Sequence, residues 1–229
     1  MSRIHFFVRL ALMEIRFLGH SCFQIKGKKA IVVTDPYDHS LGLKIPKVSA
    51  DVVTVSHQHY DHNNVSAVSG TVRKKEPFVV TGPGEYEIEG VSIFGYPSLH
   101  GALKGTKKEP NTIYVVEMDG LRLAHLGDLG EMLDDKQIEG INGVDLLFIP
   151  VGGTYTLNAN QAVDVVNKIQ PKIVVPMHYQ LPKLNFKLAP VDDFLKASGE
   201  EGIKPVKNLV VAYDKLPEER ITVVFDAGS

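Results

Sequence analysis

Four residues that bind metal ions well, His57, His59, Asp61 and His62, fall within the eight-residue run Val55-Ser56-His57-Gln58-His59-Tyr60-Asp61-His62. Imidazole and carboxylate suit Zn²⁺ and related divalent cations, and a catalytic site keeps a coordination position open for water. The four donors directly follow residues 51–55, a nearly continuous apolar run of β-branched residues that reads as a strand buried on both faces. At the end of such a strand, a period of two sends His57 and His59 the same way. Asp61 and His62 can then turn back from the start of the next helix. Four donors so close together leave room for more than one ion. A chance cluster in a solvated turn would not need this spacing.

The His-x-His-x-Asp-His run resembles the signature of the metallo-β-lactamase superfamily, and later positions follow in the superfamily's order. These are His100 in Pro97-Ser98-Leu99-His100-Gly101, Asp128 in His125-Leu126-Gly127-Asp128, and His178 in Val175-Pro176-Met177-His178-Tyr179. The resemblance implies that His57, His59 and His100 hold one metal ion and that Asp61, His62 and His178 hold a second. It casts Asp128 as the bridge between them. Two divalent ions are implied, zinc in the first place, with Mn²⁺ or Fe²⁺ accepted by the same donors. Asp61 and Asp128 would be the catalytic residues, fixing a water whose pKa two adjacent cations lower from 15.7 towards about 7. The fold implied is α+β, an αββα sandwich of two mixed sheets packed together with helices on the outer faces.

Further stretches resemble short bacterial proteins related to L-ascorbate-6-phosphate lactonase. They are Leu18-Gly19-His20-Ser21-Cys22-Phe23, Asp35-Pro36, Gly84-Glu85-Tyr86, Asn111-Thr112, Pro150-Val151-Gly152-Gly153 and Pro176-Met177-His178-Tyr179, and the likeness runs from about Met13 to the end. It points to a hydrolase acting on a lactone or related ester. A phosphodiesterase or nuclease of the same fold is the first alternative, and a non-catalytic metal-binding or scaffold protein the second. Asp35 matches a carboxylate that supports a ligating histidine from behind, a role ligating imidazoles commonly require. An Asp-Pro turn explains it equally. His20, after the first strand, is the other supporting candidate. His125, inside a strand, reads as a satisfied core histidine, and His5 and His39 carry no signal. Neither Ser21 nor Cys22 lies in a Gly-x-Ser-x-Gly elbow, so nothing favours a covalent nucleophile.

The elements that must position these groups are short strands followed by alternating helices and strands. Residues 14–18, 22–26, 30–34, 51–55, 77–81, 85–89 and 91–96 read as strands in the first half. The Asp119-Gly120 pair makes a hairpin of residues 112–118 and 121–126. Helices are expected over 133–141, 160–169 and 191–197, and strands over 144–150, 172–176, 208–213 and 221–225. Loops 38–48, 101–110 and 180–189 are left to set specificity.

With 229 residues and 44% hydrophobic residues, one domain over 13–229 is expected, preceded by an extension of residues 1–12 outside the fold. That extension lacks the apolar run and cleavage site of a signal peptide. The formal charge of −2 and the absence of a Lys/Arg block disfavour nucleic acid and favour a small-molecule substrate. No stretch has the roughly 20 apolar residues of a membrane span. A single cysteine, Cys22, fits a small core residue and a reducing compartment such as the cytoplasm.

Overall fold

The computed structural model describes residues 11–101 and 107–226. Its elements begin with β1 (Met13–Gly19), β2 (Cys22–Lys26), β3 (Ile31–Thr34), β4 (Val48–Ala50), β5 (Val52–Val55), β6 (Val68–Gly70), β7 (Phe78–Thr81) and β8 (Gly84–Ile88). They continue with β9 (Val91–His100), β10 (Glu109–Met118), β11 (Leu121–His125), α1 (Asp135–Ile141) and β12 (Leu146–Pro150). The chain closes with α2 (Ala159–Ile169), β13 (Ile173–Met177), α3 (Val191–Ser198), β14 (Asn208–Val211) and β15 (Ile221–Thr222). One mixed sheet has the order β14-β1-β2-β3-β5-β7 and the other β15-β13-β12-β11-β10-β9-β8, while β4 and β6 form a small pair.

Side-chain alternation explains why the sheets stack. Along β10, Tyr114 and Val116 enter the core between the sheets, whereas Ile113 and Val115 enter a second core under the helices. β12 divides likewise, Leu146 and Phe148 inward, Leu147 and Ile149 outward. Such strands are buried on both faces, and each large apolar side chain so enclosed contributes about 1.5–3 kcal/mol over its exposed state. α2 lays Ala162, Val165, Val166 and Ile169 on the outer core, joined by Ile141 of α1 and Phe194 and Leu195 of α3. Capping boxes at Asp134/Gln137 and Asn158/Gln161 start α1 and α2.

The two-sheet sandwich with outer helices is therefore what the chain forms. Among the described residues, its α-helices gather on one side. The outer face of the β1–β7 sheet is instead closed by Tyr37, Leu41, Val48, Ala50 and Val68, from loops, a 3₁₀ turn and the β4/β6 pair. Among the described residues, no helix is long and apolar enough to cross a membrane.

Some local expectations need correction. No α-helix starts at Asp61. The N–H groups of His62 and Asn63 both donate to the His59 carbonyl, at 2.9 and 3.0 Å, making a turn, and only the 3₁₀ segment Val65–Ala67 follows. The strand expected over 221–225 shrinks to β15, with Phe225 making one bridge to Val206. β9 reaches His100 and β10 begins at Glu109, so much of the expected 101–110 loop is strand or lies outside the described residues. Residues 1–10 of the expected extension, with His5, also lie outside the described residues. Met13, the first residue of β1, is already fully buried.

Candidate metal centre

Topology brings the sequence candidates to one edge of the sandwich. β1, β3 and β5 run in one direction through the first sheet, and β9, β11 and β13 run in one direction through the second. All candidates sit at or just past the carboxyl ends of these strands. His20 follows β1, Asp35 follows β3, the His57 to His62 run follows β5, His100 ends β9, Asp128 follows β11 and His178 follows β13. Three of them leave their strand in the left-handed region: His20 at φ 57°, Asp35 at φ 39° and His178 at φ 51°. Outside glycine that conformation is uncommon, and it clusters where function constrains the chain.

The side chains converge into overlapping groups whose donor atoms lie within 4.8 Å of one another: His57, His59 and His100; His57, His62 and Asp128; and His20, Asp61, His62 and His178. Asp128 stands between the groups. Its Oδ2 is 3.1 Å from His178 Nε2, 3.3 Å from His62 Nε2 and 3.9 Å from His57 Nε2. The Asn111 side chain accepts from the Asp128 N–H at 3.0 Å and donates to the Leu126 carbonyl, clamping the turn. Gly127, at φ 54°, packs so closely on Asn111 and Ser56 that a Cβ would overlap both.

Asp35 lies against His62, buried under the strand end. Its carboxylate accepts from the Ser56 N–H at 2.8 Å and the Ser56 hydroxyl at 2.6 Å, and it meets His62 Nδ1 at 2.8 Å. His62 thus turns Nε2 towards Asp128. His125 is a core residue, its Nε2 2.9 Å from the Ser21 carbonyl, and Cys22 is buried. His39 is exposed beside Asp38.

Two residues of the arrangement gave no signal in the sequence. Glu109 lies directly across from His100 in the β9/β10 register, and its carboxylate meets His59 Nε2 at 2.8 Å. Only the register of two strands reveals that pairing. Tyr114 crosses the inter-sheet core and donates to the Val55 carbonyl at 3.0 Å, fixing the end of β5.

Charge and burial test whether cations fit. Burial, reinforced by neighbouring His62, pushes His57 down to about 3, and burial with neighbouring His178 pushes His20 down to about 4. Both rings are neutral at pH 7, the form whose nitrogen lone pair can bind metal. His62 goes the other way: burial opposes its charge, but Asp128, Asp35 and Asp61 outweigh burial and raise it well above the ordinary range. The local field therefore calls for positive charge. Among the described residues, His57 Nε2, His62 Nε2, both nitrogens of His20 and of His100, His178 Nδ1 and Asp128 Oδ1 are buried without a hydrogen-bond partner. Each such atom costs about 1–3 kcal/mol unless something satisfies it. The chemistry of this donor set, imidazole and carboxylate, fits divalent cations.

Two cavities open on the donors. One of about 550 Å³ borders His57, His59, His100 and Glu109 on the side of Gly82 and Pro83. The other, of about 260 Å³, reaches His59, His100, Asp61, Asp128 and His178 together and is walled by Tyr60, Tyr155 and Phe186.

Residues 14–178 match the family described as the beta-lactamase superfamily domain. The chain is 33% identical to a UPF0173 metal-dependent hydrolase of Pelotomaculum thermopropionicum, with 73% of this chain and 84% of the relative covered. A UPF0173 metal-dependent hydrolase of Thermococcus onnurineus is 29% identical, with coverage of 73% and 85%. The crystal structure of a provisionally named Zn-dependent hydrolase of the metallo-β-lactamase superfamily from Thermotoga maritima superposes with a TM-score of 0.73. It is 38% identical, covering 93% of this chain and 98% of that one. With its strand ends and donors arranged as described, the chain belongs to the metallo-β-lactamase superfamily, among the metal-dependent hydrolases of the UPF0173 family.

Proposed function

We propose that the protein hydrolyses a lactone or related ester at a pair of divalent cations, zinc in the first place. His57, His59 and His100 would hold one ion, Asp61, His62 and His178 the other, and Asp128 both. Such a pair supplies a Lewis acid for a developing oxyanion and makes water acidic enough to attack at neutral pH. The chain's own residues do the rest. Ser56 holds Asp35 and Asp35 holds His62, Glu109 holds His59, and Asn111 holds the turn that carries Asp128. Asp61 and Asp128 line the smaller cavity, where their carboxylates can orient a water.

The observation that carries this reading is the smaller cavity. It touches donors of both groups, and its other described lining residues are Tyr60, Tyr155 and Phe186, with no Lys or Arg among them. Aromatic walls without a cation favour a neutral acyl or ring-bearing substrate over a phosphorylated one. The test is a screen of zinc- and manganese-loaded protein against neutral lactones, aryl esters, phosphodiesters and cyclic nucleotides. Turnover confined to the lactones and esters is expected. Turnover confined to the phosphodiesters would overturn the substrate assignment in favour of the phosphodiesterase reading.

A further inference from the structure

We infer that His20 is itself a ligand of the second cation, completing a set of His20, Asp61, His62 and His178. The inference rests on the two-cation reading above and extends it.

His20 occupies an unusual place for a histidine. β1 ends at Gly19 and β2 starts at Cys22, so the hairpin connection is only His20 and Ser21. Two-residue hairpin turns favour glycine, asparagine or aspartate because the backbone enters positive φ. His20 sits there at φ 57°. Its backbone is tied to the site as well: the His178 N–H donates to the His20 carbonyl at 3.0 Å, joining two left-handed residues from opposite sheets.

The side chain is fully buried; Nδ1 has no hydrogen-bond partner among the described residues, and the one acceptor close to Nε2, Asp61 Oδ2, is itself one of the metal-binding candidates and lies outside good hydrogen-bond geometry. A structural core histidine normally finds one. His125 does so nearby, on the carbonyl of Ser21. The ring of His20 faces the donors instead. Its Nε2 is 3.3 Å from Asp61 Oδ2, and its ring centroid is 4.3 Å from that of His178 and 5.0 Å from that of His62. One donor atom from each of the four residues falls within 4.8 Å of all the others, which is the spread of ligands around a single ion.

A consequence follows for the choice of metal. Counting Asp128, the second position gathers five protein donors: His20, Asp61, His62, His178 and Asp128. The first gathers four: His57, His59, His100 and Asp128. Four donors suit tetrahedral zinc, whereas five with a water suit an ion that accepts six-coordination, such as Mn²⁺ or Fe²⁺. The two positions should therefore differ in preference.

Calorimetric titration of the metal-stripped full chain with Co²⁺ tests this, comparing wild type with His20→Ala and His20→Asn. Asparagine tolerates the left-handed backbone but is too short to reach the ion. Wild type should bind two equivalents. In both variants the first should be unchanged and the second weakened by more than about 100-fold, the upper range for losing a merely supporting partner. Unaltered binding of the second equivalent in a folded variant overturns the role of His20 and leaves the two-cation reading standing. A single equivalent in wild type overturns that reading and the inference with it. Should neither variant fold, wild type decides: loaded with an NMR-active cadmium isotope and nitrogen-labelled on histidine, it should show metal–nitrogen coupling to six imidazoles. Coupling to only the five without His20 would mean that His20 merely orients Asp61 and would overturn the inference.

Discussion

Asp128 is surrounded by imidazoles of His57, His62 and His178, all within 3.9 Å of one carboxylate oxygen. Burial alone would raise its pKa, yet His178 and His62 hold it well below the ordinary carboxylate range. Replacing it with asparagine preserves the shape and the Asn111 clamp, which grips the backbone, while removing the negative charge that the proposed pair of cations would need. Asp128→Asn should fold, retain one metal ion per chain instead of two, and lose more than about 100-fold in kcat, beyond the effect of deleting a supporting residue. Metal per chain and kcat measured on one preparation check it. Two tightly held ions with near-normal turnover would show that Asp128 is not shared between them. At this scale the site was legible where chemistry is written locally, as in the His57 to His62 run. It was not legible where only folding creates the contact. Glu109 reaches His59 through strand register, and nothing in the turn at His20 discloses which donors lie above it.

The six strand ends make the site, and what holds them is backbone packing that the side-chain motifs do not describe. Gly152 follows β12 and lies against the carbonyl of His178 so closely that a Cβ would overlap it, while the Val151 N–H donates to the Met177 carbonyl at 3.0 Å. Gly153 beside it has φ 77°, but a Cβ there would meet nothing nearer than 3.6 Å. The two glycines thus separate strain from displacement. Gly153→Ala should cost about 1–2 kcal/mol of stability for its left-handed backbone and leave metal affinity alone. Gly152→Ala should move His178 and weaken metal binding by about 10–100-fold. Thermal melts and metal titrations of both variants check this, and wild-type affinity in Gly152→Ala would sink the assignment. The Pro150-Val151-Gly152-Gly153 stretch was visible as a motif, but its physical reason was not, because the partner carbonyl lies 26 positions away in the chain. Strands with β-branched runs and the Asp119-Gly120 hairpin were readable from local chemistry. The short β4 and β6 escaped because neither shows a strand-length alternating pattern.

At the scale of the molecule, the core and the site are separate constructions. The apolar clusters between the sheets and under the helices are built from strand interiors and helix faces, and the donors occupy only one edge. A chain of 229 residues with two such cores should not need metal to hold its layers together, unlike a zinc finger, whose core is too small to fold alone. Cations would still add stability through binding to the folded state alone, about 2.7 kcal/mol for an ion at 100 times its Kd. In a domain of this size, 1 kcal/mol moves Tm by about 2–4 °C. Chelation should therefore lower Tm by about 5–10 °C per ion lost and abolish activity, while the unfolding transition stays cooperative and near-ultraviolet circular dichroism keeps its folded signature. Re-adding metal should restore both. The check is a calorimetric scan with and without EDTA on the same preparation. If the cooperative transition vanished in EDTA, the donors would be holding the strand ends together as well as serving the chemistry, and core and site could not be treated as independent.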